Sequence, residues 1–283
     1  MPYARSQLIE SLRHLGLNSE TIVMVHASVR SVGEIYGGPD EIHRAVEEAV
    51  QPGGTVMMYV GCPDGFDDVG RGVYAATEEA EIVAHQPAFD PQTARASRNF
   101  GALAEFFRSF SGTISSASAS GRIAARGARA AWLIADQPWN YAYGRGSPFE
   151  KLCEAGGRLL LLGSDHDEVT LLHYAEHVAE FEGKRIARYH VPVMRDGKRT
   201  WVPCEEFDTS GRGVHPNWPD RFFARIVDDF IARYAATAFC SRGMVGNAES
   251  VLMDAAALVT HACPLMVGQA HGGIDPFVGP APS

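Results

Sequence analysis

Two apolar runs, at 21–26 and 55–60, joined by a segment of helical spacing, constrain the fold of this chain more than any other feature. In Thr21-Ile22-Val23-Met24-Val25-His26 the apolar residues are consecutive rather than alternate, which marks a strand covered on both faces. A loop at 27–38 follows, and from Pro39 onward Ile42, Ala45, Val46 and Ala49 share one helical stripe up to Gly53-Gly54. Strand, loop, helix and strand in that order make a βαβ unit, whose parallel strands belong to a sheet with helices on its faces. The run Arg158-Leu159-Leu160-Leu161-Leu162-Gly163 reads as a further central parallel strand, with a turn at 164–167 leading into a helix. The expected class is α/β, with a mixed, largely parallel central sheet flanked by helices.

Local signals place the remaining elements. Ser6 can cap a first helix that ends near Gly16, and Ser147-Pro148-Phe149-Glu150 is a capping box with proline at the first helical position. Phe100, Leu103, Phe106, Phe107 and Phe110 make the apolar stripe of another helix. A β-hairpin is expected over 189–204, turning at Asp196-Gly197. Helices around 219–234 and 254–262 close the fold, and the Gly- and Pro-containing tail at 268–283 is expected to be flexible. Segment 61–91, with Asp64, Asp67, Asp68, Glu78, Glu79 and Glu81, is too long for a simple connector and reads as an inserted acidic lid or substrate loop. No repeat or linker divides the chain, so 1–267 is expected to form one domain.

With 283 residues, 46% of them hydrophobic, the chain can bury a sizeable core, and its formal charge of −9 disfavours nucleic acid and anionic membrane surfaces while suiting a small cationic ligand. Five scattered cysteines, never in a C-x-x-C pair, suggest neither a disulfide framework nor a cysteine zinc site. No apolar stretch approaches the length of a membrane span, so a soluble, cytoplasmic protein is expected.

His173, Glu176, His177 and Glu180 fall at i, i+3, i+4 and i+7 on the helix after the leucine-rich strand, hence on one face. A solvated polar face is one reading. A second is zinc, since His173-Tyr174-Ala175-Glu176-His177 is a literal H-x-x-E-H string, with Glu249 as a downstream ligand for a hydrolase. A third is catalysis: a histidine in the first helical turn after a parallel strand sits where open α/β sheets place their sites, and its near-neutral pKa suits a general base. Glu206 and Asp208 alternate after the hairpin and share a face if extended, offering carboxylates to orient that base.

Several segments resemble the aminoglycoside 3-N-acetyltransferases, the antibiotic N-acetyltransferase family. They include Val25-His26-Ala27-Ser28-Val29-Arg30-Ser31-Val32-Gly33, Gly37-Gly38-Pro39-Asp40, Met57-Met58-Tyr59-Val60-Gly61 and Pro87-Ala88-Phe89-Asp90-Pro91. Gly144-Arg145-Gly146-Ser147-Pro148, Val169-Thr170-Leu171-Leu172-His173-Tyr174-Ala175-Glu176, Glu206-Phe207-Asp208-Thr209 and Gly243-Met244-Val245-Gly246 continue the match, which is collinear from about residue 6 to 259. The resemblance implies acetyl transfer from acetyl-coenzyme A to the 3-amine of a cationic aminoglycoside, giving resistance, with no metal and in a monomer or homodimer. It implies His173 as the base, supported by Glu176, Glu206 or Asp208, with Thr170 near the oxyanion. It further implies a coenzyme-A loop of His26, Ala27, Ser28, Val29, Arg30, Ser31, Val32 and Gly33, and a substrate side of Tyr59, Asp64, Asp67, Glu206 and Asp208.

One segment departs from the family. Where its members usually carry Ser-Ala-His-Pro or Ser-Ala-Asn-Pro, this chain reads Ser116-Ala117-Ser118-Ala119-Ser120-Gly121-Arg122, and Arg122 would oppose a polycation if it faced the cleft. Acetylation of a different amine and coenzyme-A binding without turnover are the rival readings within that resemblance.

Overall fold

The computed structural model describes residues 1–210, 213–272 and 277. In chain order its helices and strands begin α1 (Arg5–Leu15), β1 (Ile22–Ala27), α2 (Val29–Val32), α3 (Asp40–Val50), β2 (Thr55–Tyr59), α4 (Ala76–His85) and α5 (Gly101–Ser109). They continue β3 (Ile114–Ser115), β4 (Ile123–Gly127), α6 (Ala130–Ile134), α7 (Pro148–Glu154), β5 (Arg158–Leu162) and α8 (Leu171–Val178). The last are β6 (Ile186–Arg195), β7 (Lys198–Phe207), α9 (Phe222–Tyr234), β8 (Cys240–Val245), β9 (Ala248–Asp254) and α10 (Ala255–Ala270).

Seven strands form one sheet in the order β3-β4-β2-β1-β5-β9-β8. The sheet is mixed, as expected, and its parallel pairing is confined to β2-β1-β5, where Met24 aligns with Met57 on one side and Leu159 on the other. The outer pairs are antiparallel, including the β8–β9 hairpin. Alternate residues of the central strands feed two cores. Met24, Met57, Leu159 and Leu161 face α7, α8, α9 and α10, whereas Val23, Val25, Val56, Leu160 and Leu162 face α1 and α3. Consecutive apolar residues in the sequence are therefore the signature of a strand sandwiched between helical layers.

Several local expectations hold. The Ser147 hydroxyl accepts from Glu150 N at the start of α7, although the Glu150 carboxylate reaches back to Gly146 N rather than to Ser147. The hairpin β6–β7 turns at Asp196 and Gly197, both with positive φ (49° and 72°), as a tight type I′ turn requires. The inserted acidic segment, expected as a lid or substrate loop, also contains a helix, α4, which buries none of its residues. The hairpin holds it instead. Arg199 donates to the carbonyls of Val83, Ala84 and Gln86 at the end of α4, and the Trp201 indole N–H donates to Val83 O at 3.3 Å. Strand β6 adds backbone bonds from His190 N to Val69 O and from Phe89 N to Pro192 O. Residues 268–270, placed by the sequence in a flexible tail, belong to α10, and most of 271–283 lies outside the described residues. Among the described residues, no helix is long and apolar enough to cross a membrane.

Candidate active site

Helix α8 starts at the carboxyl end of β5 and carries His173 in its first turn. The His173 Nδ1 lies 2.8 Å from Glu176 Oε2, and the other Glu176 oxygen accepts the Trp218 indole N–H at 2.9 Å. Indole can only donate, so that oxygen accepts from Trp218, and an ionised carboxylate facing Nδ1 pairs with the imidazole tautomer whose lone pair is on Nε2. Glu176 is buried, while His173 keeps 24% of its side chain exposed, its ring lying edge-on to Tyr143 and Phe223. A cavity of about 260 Å³ opens on this pair, lined also by Asp167, Thr209, Trp218 and Phe223.

A second pair sits one turn along. The His177 Nε2 is 2.9 Å from Glu206 Oε1, Glu206 is buried and His177 nearly so, and Phe207 and Tyr141 pack on the imidazole. Glu206 Oε1 also accepts from Phe207 N, whereas Glu206 Oε2 is buried with no hydrogen-bond partner among the described residues. The structure thus gives His173 to Glu176 and Glu206 to His177. Asp208 pairs with neither histidine: it accepts from the backbone and hydroxyl of Ser210 at 2.9 and 2.6 Å.

This geometry also decides the zinc reading. The two histidines of the H-x-x-E-H string engage different carboxylates, and Glu249 lines a separate cavity with His166 and Arg242. Among the described residues, no three His, Cys, Asp or Glu side chains converge on a metal-ion position.

The Tyr59 and Tyr143 hydroxyls lie 2.6 Å apart and both stand within hydrogen-bond distance of Ser120 O, at 2.7 and 3.0 Å, so their two protons are shared among three contacts. Burial first, then the nearby carboxylates of Asp67 and Glu206, push both phenols up from their usual range; the contact between them raises Tyr143 further but lowers Tyr59. Asp67 lies between the Cys62 thiol, which donates to it at 3.2 Å, and Arg71, and burial raises its carboxyl pKa. Asp64 does not join this group. It lines another cavity, of about 660 Å³, with Arg95, Arg98 and Glu105.

Of the loop at 26–33, His26 and Ala27 line a cavity of about 250 Å³ at the ends of β1 and β2, together with Tyr59, Asn99, Ser164, Glu168 and Thr170. Burial holds the His26 imidazole neutral, its pKa lowered to about 4, and its Nε2 has no partner among the described residues. Ser28 caps α2 by accepting from Ser31 N, and Ser31 Oγ lies within 3.0 Å of both Ser28 Oγ and Gly163 O. Those hydroxyls therefore fasten the loop to β5. Val32 is fully buried, and Gly33, at φ 93°, packs so close to Asn247 that a Cβ would meet its side-chain nitrogen at 2.7 Å. Both face the β8–β9 turn rather than the cavity, because the short helix α2 turns them inward. Arg30 is exposed.

Arg122 does not face the cleft. It is fully buried, and its guanidinium donates to the carbonyls of Pro91, Ala94 and Arg95, with burial lowering its pKa to about 10. The departing segment instead contributes the Ser120 carbonyl oxygen, which lies within 3.0 Å of both tyrosine hydroxyls. Sequence reasoning missed Tyr143, which bridges Tyr59 to His173, and Trp218, which is 42 residues from the glutamate it holds. No local spacing could have signalled Trp218.

A histidine paired with a buried carboxylate beyond the carboxyl end of a parallel strand stands where open α/β sheets place their sites. The chain belongs to the aminoglycoside 3-N-acetyltransferase family, whose model matches residues 24–266. It is 37% identical over 265 residues to aminoglycoside N(3)-acetyltransferase III of Pseudomonas aeruginosa, covering 93% of each chain. Against aminoglycoside N(3)-acetyltransferase VIII of Streptomyces fradiae the identity is 39%, covering 84% of this chain and 80% of the relative. Among solved structures, AAC-IIIb in binary complex with CoASH superposes with a TM-score of 0.87 at 38% identity, covering 100% of both chains. AAC-VIa bound to sisomicin gives 0.85 at 37% identity, covering 95% of this chain and 99% of that one.

Proposed function

We propose that the protein transfers the acetyl group of acetyl-coenzyme A directly to the 3-amine of the deoxystreptamine ring of aminoglycosides, with His173 as general base. The observation that carries this reading is the chain of contacts Trp218–Glu176–His173, which leaves Nε2 as a proton acceptor at the rim of a cavity. An alkyl ammonium has no lone pair, so attack on a thioester needs such an acceptor. His173 Nε2 takes the amine proton as the C–N bond forms and the C–S bond breaks, the sulfur leaving as thiolate.

The thioester arm fits the cavity at the ends of β1 and β2, where the unpartnered His26 Nε2 would bond an amide of the arm. Helix-start N–H groups are poor oxyanion donors here, since Leu172 N and His173 N already bond Val169 O and Thr170 O. Thr170 Oγ1, which lines the same cavity and caps nothing, takes that role instead. Burial raises the pKa of all five thiols, which argues against a cysteine acyl-enzyme. Asp67, Glu206 and Asp208 receive ammonium groups of the acceptor, and His177 holds Glu206 so that its bare oxygen stays aimed.

A thiol-release assay with acetyl-coenzyme A tests this across aminoglycosides with and without a free 3-amine, with product regiochemistry read by NMR. Turnover confined to 3-amino acceptors is expected. Equal turnover of unrelated amines would shift the reading to a different acceptor, and thiol release at the uncatalysed rate would end it.

A further inference from the structure

The acidic segment brings its own cation to the acceptor side. Arg71 lies four residues after Asp67, and its Nε donates to the Asp67 backbone oxygen at 2.6 Å. Its Nη2 is 3.6 Å from Asp67 Oδ2, and its guanidinium carbon stands 4.2 Å from the centre of the Tyr189 ring. The side chain is only 20% exposed. Arg71 also acts on Asp208: burial pushes that carboxyl up, but the Ser210 hydrogen bonds, Arg185 and Arg71 outweigh it and leave it lowered. Tyr189 is buried beside Cys204 and feels the charges of Glu206 and Asp67. An aromatic face next to a half-buried carboxylate, with a second carboxylate in electrostatic reach, is the environment that receives an alkylammonium group.

We propose that Arg71 is a built-in counter-cation that occupies the ammonium subsite of Asp67 and must be displaced for the acceptor to bind. Arg71 then determines specificity. An acceptor with one amine regains only the contact it breaks, whereas a polyamine gains contacts at Glu206 and Asp208 besides. The inference rests on the reading that Asp67 binds substrate, and the test separates the two.

Steady-state kinetics on Arg71→Gln, Arg71→Lys, Asp67→Asn and the Asp67→Asn/Arg71→Gln double variant decide it, with thermal melts confirming folding. Arg71→Gln should lower the acceptor KM about three- to tenfold, the combined size of one partly buried ion pair and one cation–π contact, while the KM for acetyl-coenzyme A stays put. Arg71→Lys should restore most of the wild-type KM. In the Asp67→Asn background, Arg71→Gln should change nothing. An acceptor KM that rises or stays unchanged in Arg71→Gln, while Asp67→Asn raises it, overturns the role of Arg71 alone. An acceptor KM unaffected by Asp67→Asn removes the substrate role of Asp67, and the inference with it.

Discussion

The two histidines of α8, one turn apart, each meet a glutamate at a nitrogen–oxygen distance under 3 Å, and the two pairs differ in which partner is left open. In the first, both oxygens of Glu176 are occupied and the imidazole of His173 keeps an open edge. In the second, the His177 imidazole is enclosed by Phe207 and Tyr141, and it is the carboxylate of Glu206 that keeps an uncommitted oxygen. On the proposed reading, the same two residue types present a proton acceptor in one place and an anion in the other, according to which partner is saturated.

The comparison predicts effects of unequal size. The largest is His173→Ala, which should lower kcat about 10³-fold while leaving the dissociation constant for coenzyme A within a few fold, measured by thiol release and calorimetry. Retained turnover would move the base elsewhere. His177→Phe should act mainly on stability and acceptor binding. It leaves Glu206 as a buried carboxylate held, among the described residues, only by the Phe207 N–H, so denaturant titration should show a loss of about 3 kcal/mol, with kcat near wild type. A kcat loss matching that of His173→Ala would erase the distinction between the pairs.

Trp218→Phe removes one donor from Glu176 and should lower kcat about tenfold or less with little change in acceptor KM, since a typical hydrogen bond contributes about 0.5–1.5 kcal/mol net. A change in KM alone would place the indole on the acceptor side. The smallest effect is on pH dependence. Burial raises the Asp67 carboxyl pKa, and only its ionised form attracts ammonium, so acceptor affinity is complete above that pKa and fades as pH falls through it. The acceptor KM should therefore climb severalfold in mildly acidic solution, before an ordinary carboxylate would titrate, and Asp67→Asn should flatten that climb.

Local and repeating features of this molecule were legible in its sequence. The βαβ unit, the Ser147 cap and the Asp196-Gly197 turn follow from periodicity, capping and positive φ, each set by residues a few positions apart. The i, i+3 spacing placed Glu176 beside His173. Features that depend on distant chain segments were not legible. Helix α4 shows no apolar period because it buries nothing, and its end is satisfied by Arg199 and Trp201 more than 110 positions away. Strand β8 runs through Ser241, Arg242 and Gly243, a pattern too polar to read as part of a sheet. Arg122 reads as a charge in the cleft, yet three carbonyls 27 to 31 residues upstream draw it inward. The departure that made the acceptor side doubtful is thus a structural pin.

The division of labour between the two pairs is tested most directly by measuring kcat and acceptor KM for Glu176→Gln and Glu206→Gln side by side. Glu176→Gln turns an acceptor of the Nδ1 proton into a donor and should lower kcat by about 10²-fold or more, through loss of the correct tautomer. Glu206→Gln removes one charged hydrogen-bond acceptor from the ammonium side and should raise acceptor KM about 10-fold with kcat nearly unchanged. If both variants lower kcat alike, or if Glu206→Gln is the one that abolishes turnover, the two pairs do not divide the work in this way.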